Sequence, residues 1–217
     1  MFRQNLQAFA RAAKWPVMDY GLPHFSLTPA IIQQLRELPY LERWKTSIAN
    51  QWYHVRLEDH SLLTFSSTAT SASYAYLHCP LDAPTFRQFA LDMGHQFNAA
   101  ARAELLEEYQ LIIDTAMQKA NVTPIRYDYD ENGYRRGVHP VSHIHIGLDN
   151  HVRLSSSKRL TPTSFALFVM RQMYPECWAR VLDHQEAARL PKAIRLGCVP
   201  LHEPHWHEQD QVELHFV

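Results

Sequence analysis

Alternation with a period of two is the feature that most constrains how this chain folds. In Arg126-Tyr127-Asp128-Tyr129-Asp130 and again in His143-Ile144-His145-Ile146, charged or imidazole side chains alternate with apolar or aromatic ones. An extended strand sends such neighbours to opposite faces, so each run predicts a strand with one apolar and one polar side. Trp52, His54, Arg56 and Glu58 alternate in the same way against Tyr53, Val55 and Leu57. Further strands are expected around 62–66, 73–78 and 141–148, with Asp59-His60-Ser61 as a turn and Ser155-Ser156-Ser157 as a loop. For the three strands within 51–78 an antiparallel meander is the economical arrangement, and alternating Val212, Leu214 and Phe216 predict a terminal strand. Asn132-Gly133 marks a turn after Asp130, with an irregular return arm because Gly137 and Pro140 interrupt it.

Helices are predicted between these runs. Phe2, Leu6, Phe9 and Ala13 stand at helical spacing, ended by Trp15-Pro16. Thr28-Pro29 reads as an N-cap with proline at the first helical position, and Pro39 closes that helix before a helical or irregular piece over 40–49. A long helical region starts at Asp82 or Thr85, breaks near Gly94 and stops at Asn121 and Pro124. Thr161-Pro162 repeats the cap pattern before Phe165, Phe168, Val169 and Met173, and Pro175 kinks or ends that helix. The expected fold is a single α+β domain over 1–217. Its antiparallel sheet carries the helices around 84–120 and 162–174 packed on one face.

Composition restricts function more than it names it. The chain has 217 residues, 46% apolar and 20% charged, enough for a sizeable core. Lys plus Arg (21) against Asp plus Glu (22) leave a net charge of -1, which argues against coating a phosphate backbone. The three cysteines, Cys79, Cys177 and Cys198, form no CxxC pair and fit reduced thiols in a cytoplasmic chain. No apolar run is long enough for a membrane span, and the basic N-terminus lacks a signal-peptide core, so a packed helix is preferred there to a presequence.

Histidine is the outlier, with 14 residues. His139, His143, His145 and His151 fall in one short stretch; His202, His205, His207 and His215 fall in another. On a strand His143 and His145 project together, which is a recurrent way to begin a site for zinc or another divalent metal, and His139 is a third candidate ligand. Asp128, Asp130 or a tail histidine would complete it. Alternatively, a carboxylate such as Asp128 orients His143 or His145 as a general base without metal. The plainer alternative is a polar sheet face on which both histidines hydrogen-bond to Asp128, Asp130 or a backbone carbonyl. Gly147 and Leu148 stand where a histidine-triad hydrolase or a metallo-β-lactamase would need His or Asp, and no cupin-type glutamate follows. Arg126, Arg153 and Lys158 are candidate anion-binding residues. With Arg135, Arg136, Arg159 and a stacking Tyr134, they permit contact with a nucleotide or single-stranded nucleic acid. The phosphate-loop, dinucleotide and nucleophile-elbow patterns are absent.

The run Arg126 to Asp130, the segment His139-Pro140-Val141-Ser142-His143-Ile144-His145-Ile146-Gly147, Arg153, Leu160-Thr161-Pro162, Phe165 and Tyr174-Pro175 together resemble a bacterial family known as domain of unknown function 2290. The resemblance is clear over 125–176 and does not include the proline-rich tail. It implies a bacterial cytoplasmic protein of the kind found among defence or mobile genes, and carries no catalytic role with it. Two functions are therefore expected. One is a binding or scaffolding subunit of a bacterial multi-protein system, such as anti-phage defence, working as a homo-oligomer or within a complex. The other is a small metal-dependent hydrolase or nuclease built on His139, His143 and His145 with Asp128 or Asp130.

Overall fold

A computed structural model describes residues 7–8, 10–11, 14–148, 152–183, 189–211 and 215–216. Its centre is a sheet of β1 (Val17–Asp19), β2 (Val55–Leu57), β3 (Leu62–Ser67), β4 (Ser71–Leu77), β5 (Ile125–Asp130), β6 (Ser142–Ile146) and β7 (Val152–Ser156), each antiparallel to the next. A two-stranded sheet joins β8 (Lys158–Arg159) to β9 (Val199–Pro200), and β10 (His215–Phe216) lies parallel to β7 at the edge of the main sheet. The expected α+β class and antiparallel meander are what the chain forms. Ser155 and Ser156, expected in a loop, instead end a strand, because Ser155 pairs with His143 and both serines are buried. Of the N-terminal helix, Phe2, Leu6, Phe9 and Ala13 lie outside the described residues, as do Val212 and Leu214 of the tail.

The helices start where the caps predicted. In α1 (Pro29–Glu37) the Thr28 hydroxyl accepts from the Ile31 amide, and α2 (Tyr40–Ala49) follows after Pro39. The long helical region splits into α3 (Phe86–Asp92), capped by Thr85, and α4 (Ala99–Thr115), capped by Asn98. Gly94, at φ +80°, supplies the left-handed turn between them. The α5 helix (Pro162–Met173) opens on a Thr161 capping box, and Pro175 begins α6 (Pro175–Asp183). Two short helices, α7 (Leu190–Leu196) and α8 (Glu208–Gln211), follow.

The strands separate two cores. Leu63, Phe65, Tyr74, Tyr76, Tyr127 and Ile144 share one sheet face and pack under Phe165, Ala166, Val169 and Met170 of α5. The tyrosines bury their rings and keep their hydroxyls satisfied: Tyr127 meets the Ser142 hydroxyl at 3.0 Å and accepts from the Leu160 amide at 3.0 Å, tying the sheet to the entry of α5. The helices were expected on one face, and here the structure differs. Leu62 and Leu77 alternate onto the opposite face and form a second core with Trp44, Phe86, Phe89, Leu105 and Tyr109. The helices divide between two faces because β3 is apolar on both sides at Leu62 and Leu63, so each side requires cover.

Candidate functional site

Register assembles the site. Arg126 pairs with His145, Asp128 pairs with His143, and Ser73 of β4 pairs with Asp128. The pleat puts all five side chains on the face opposite Ile144, which lies in the first core. There the Arg126 Nε donates to Asp128 Oδ2 at 2.6 Å and the Ser73 hydroxyl donates to Oδ1 at 3.0 Å. His145 Nε2 lies 3.7 Å from Asp128 Oδ2. One ligand atom from each of Asp128, His143 and His145 lies within 4.8 Å of the others.

Both imidazoles are buried, His143 to 2% and His145 to 3% exposure, where a charge is costly. His143 Nδ1 is 2.9 Å from the Pro140 carbonyl, which only accepts, so Nδ1 carries the proton and Nε2 keeps its lone pair. Burial pushes the His143 pKa down to about 4. A neutral ring whose tautomer is fixed by a backbone carbonyl is the form that ligates a metal. His139 sits beside this group: its ring is edge-on to His143 at 5.0 Å, outside the three-residue cluster. Its buried Nδ1 has no hydrogen-bond partner, and neither has the buried hydroxyl of Ser155, directly across from His143. Two such atoms beside one imidazole mark a place where a bound ion or polar ligand recovers lost hydrogen bonding.

Tetrahedral zinc ligands at about 2.0–2.1 Å from the ion lie about 3.4 Å from each other. Closing Asp128, His143 and His145 onto an ion therefore draws them inward from their spread of up to 4.8 Å. Three protein ligands leave a coordination position open for water or substrate.

The same sheet face opens into a cleft of about 450 Å³ under α1 and α2, and His145 and Arg126 line its floor. Arg36 from α1 and Arg43 from α2 line the cleft as well, and among the described residues no carboxylate does. Sequence reasoning missed both arginines, since Arg43 in Tyr40-Leu41-Glu42-Arg43-Trp44 reads as an ordinary helix charge. It also missed Ser73, whose role depends on which strand neighbours β5.

The other candidates disperse. Asp130 accepts from the Asn132 amide and shapes the turn. Arg153 pairs with His145 across the strands on the same face but is exposed. Lys158 lines a separate cavity of about 330 Å³ with Ile144, Leu160, Phe168 and Trp178 on the face covered by α5. Tyr134 stacks on His207 and donates to Asp210, so its ring is engaged within the chain, and Trp206 packs partly against the first core. Cys79, Cys177 and Cys198 are free and buried.

No curated protein and no solved structure matches this chain. A family model described as "Uncharacterized conserved protein (DUF2290)" matches residues 24–216, extending the resemblance from the strands around the histidines to α1, α2 and the tail. Every residue of the Asp-His-His group and all three cleft arginines fall within that match, and the chain belongs to the DUF2290 family.

Proposed function

We propose that this protein is a small metal-dependent hydrolase in which Asp128, His143 and His145 hold the ion. The observation that carries this reading is the convergence of these three ligand atoms within 4.8 Å on a buried sheet face, with His145 lining the cleft. Ser73 and Arg126 orient the carboxylate, and Pro140 orients His143. A divalent ion there would supply a Lewis acid and an activated water at neutral pH. The buried, unpaired cysteines support a reducing compartment, the bacterial cytoplasm.

The test is elemental analysis of tag-free protein before and after reconstitution with zinc, alongside hydrolysis of p-nitrophenyl phosphate and bis(p-nitrophenyl) phosphate. Near-stoichiometric metal and turnover are expected, both lost in the His143→Ala plus His145→Ala variant. Protein that stays metal-free after reconstitution, or a double variant that keeps its metal, would rule the reading out.

A second reading, a subunit of a bacterial multi-protein system such as anti-phage defence, has its own support. Beyond the buried stripe of Ala101, Leu105, Tyr109 and Ile113, α4 exposes Leu106 and Leu111, and Met117 just past its end is 77% exposed. Apolar side chains left on a helix outside its core-facing stripe favour a covering partner or a second copy. Among the described residues no helix is long and apolar enough to cross a membrane.

A further inference from the structure

We propose that the cleft between α1, α2 and the polar sheet face binds the phosphate group of a nucleotide-sized phosphate monoester, with Arg36, Arg43 and Arg126 as the anion-binding residues. This deepens the hydrolase reading by naming its substrate class and rests on that reading for turnover; the binding step rests on the arginines.

Three guanidinium groups line one cleft, and among the described residues that line it there is no Asp or Glu. Among the described residues the only carboxylate tied to any of them is Asp128, which engages Arg126 through Nε and leaves both Nη groups for a ligand. Arg43 is held in place from behind: its Nε donates to the Leu35 carbonyl at 2.7 Å and one Nη donates to the Leu38 carbonyl at 3.2 Å. Capping the end of α1 explains Arg43 alone. It does not explain why Arg36 and Arg126 face the same space. Burial and the like charges of Arg126 and Arg36 push the Arg43 pKa below its ordinary value. A planar, permanently charged fork matches phosphate oxygens in pairs, so grouped arginines select a compact anion rather than a neutral ligand.

Size and polarity define the rest of the ligand. About 450 Å³ falls in the range of small-molecule sites. Leu27, Ile32 and Leu148 form an apolar wall that accommodates the body of the ester. Gly147, at φ +95°, turns the chain at the cleft margin, with its amide donating to the Pro124 carbonyl at 2.9 Å. His145 lines the same space, so a phosphate held by the arginines sits next to the Asp-His-His group.

Calorimetry on EDTA-treated, full-length protein tests the proposal apart from catalysis. The probes are 5′-AMP, adenosine, and one short oligonucleotide with either a 5′-phosphate or a 5′-hydroxyl. 5′-AMP is expected to bind at least tenfold more tightly than adenosine. Arg36→Gln and Arg126→Gln are each expected to weaken it about tenfold, the scale of one charge-assisted hydrogen bond. A 5′-phosphorylated strand that binds more tightly than 5′-AMP supports the proposal with a nucleic-acid end as the source; preference for 5′-AMP supports it with a free ester. Equal affinity for 5′-AMP and adenosine, no binding of either phosphate probe, or an unchanged affinity in Arg36→Gln overturns it. Arg36 is exposed, so its replacement tests the cleft even if Arg126→Gln fails to fold. Phosphate binding without metal or turnover would refute the hydrolase reading alone, whereas metal-dependent turnover without arginine-dependent binding would refute this one alone.

Discussion

His60 shows how one residue links backbone, burial and proton affinity. It occupies the turn between β2 and β3 at φ +63°, a region that His, Asn and Asp tolerate better than most side chains. Its ring is buried: Arg56 donates to Nδ1, so Nε2 carries the proton and donates to the Tyr109 hydroxyl, which itself donates to the Pro84 carbonyl at 2.9 Å. Burial first, then the charges of Arg56 and Lys119, lower the His60 pKa to about 3. The unfolded chain takes up this proton near pH 6.5, the ordinary histidine value. Below that pH the unfolded state binds a proton that the native state refuses, so stability falls as pH drops from 6.5 towards 3. The slope from this residue is at most about 1.4 kcal/mol per pH unit. His60→Asn keeps a side chain suited to positive φ and removes the titration. Chemical denaturation from pH 7 to 5 should show wild type losing stability faster than the variant, by roughly 2 kcal/mol over that range. Parallel pH profiles would show that His60 does not set the acid sensitivity.

At the scale of elements, α5 decides whether the first sheet face is covered. Phe165, Val169 and Met170 are fully buried, each contributing about 1.5–3 kcal/mol by leaving water. The helix begins through a reciprocal pair of bonds: the Thr161 hydroxyl accepts from the Ser164 amide at 3.1 Å, and the Ser164 hydroxyl accepts from the Thr161 amide at 2.8 Å. Thr161→Ala removes the first bond and is expected to cost about 1 kcal/mol, or about 2–4 °C in Tm for a chain of this size. Thermal melts and urea titrations read both. A loss below a few tenths of a kcal/mol would mean that Pro162 and packing alone hold this end of the helix. The opposite face is covered differently: α1 and α2 bridge over it and leave the cleft, so the polar face of β5 and β6 is buried yet still reached through His145.

For the whole molecule, charge and exposed apolar area act together. A net charge of -1 provides little mutual repulsion between copies, while Leu111 and Met117 are 63% and 77% exposed. Self-association or a partner that covers α4 is the expected consequence, with a specific interface burying at least about 1,000 Å². Light scattering coupled to size exclusion should find the isolated chain larger than a monomer, and Leu111→Glu plus Met117→Glu should shift it to monomer. Their exposure predicts little change in melting temperature. A wild type that is already monomeric at high concentration would exclude the homo-oligomer and leave only a different partner for this surface.

The sequence by itself determined the strands, the caps and which residues share a sheet face, because these depend on local rules. Period two fixes the face on which Asp128, His143 and His145 stand, and Thr28-Pro29 and Thr161-Pro162 start helices through bonds within one turn. Alternation also placed Ile144 in the core. Strand order, and what covers each face, depended on tertiary structure. Nothing near Ser73 indicates that β4 will lie beside β5, since that pairing closes a separation of 55 residues and is decided by the total burial of the sheet. The apolar patterns of 86–115 and 162–173 are alike in kind, and only the double-sided burial of Leu62 and Leu63 assigns those helices to opposite faces. Arg36 and Arg43 look like solvated helix charges until α1 and α2 fold over the sheet and set them near Arg126. A charge acquires a role from the charges and walls around it, and those neighbours are brought in by parts of the chain far apart in sequence.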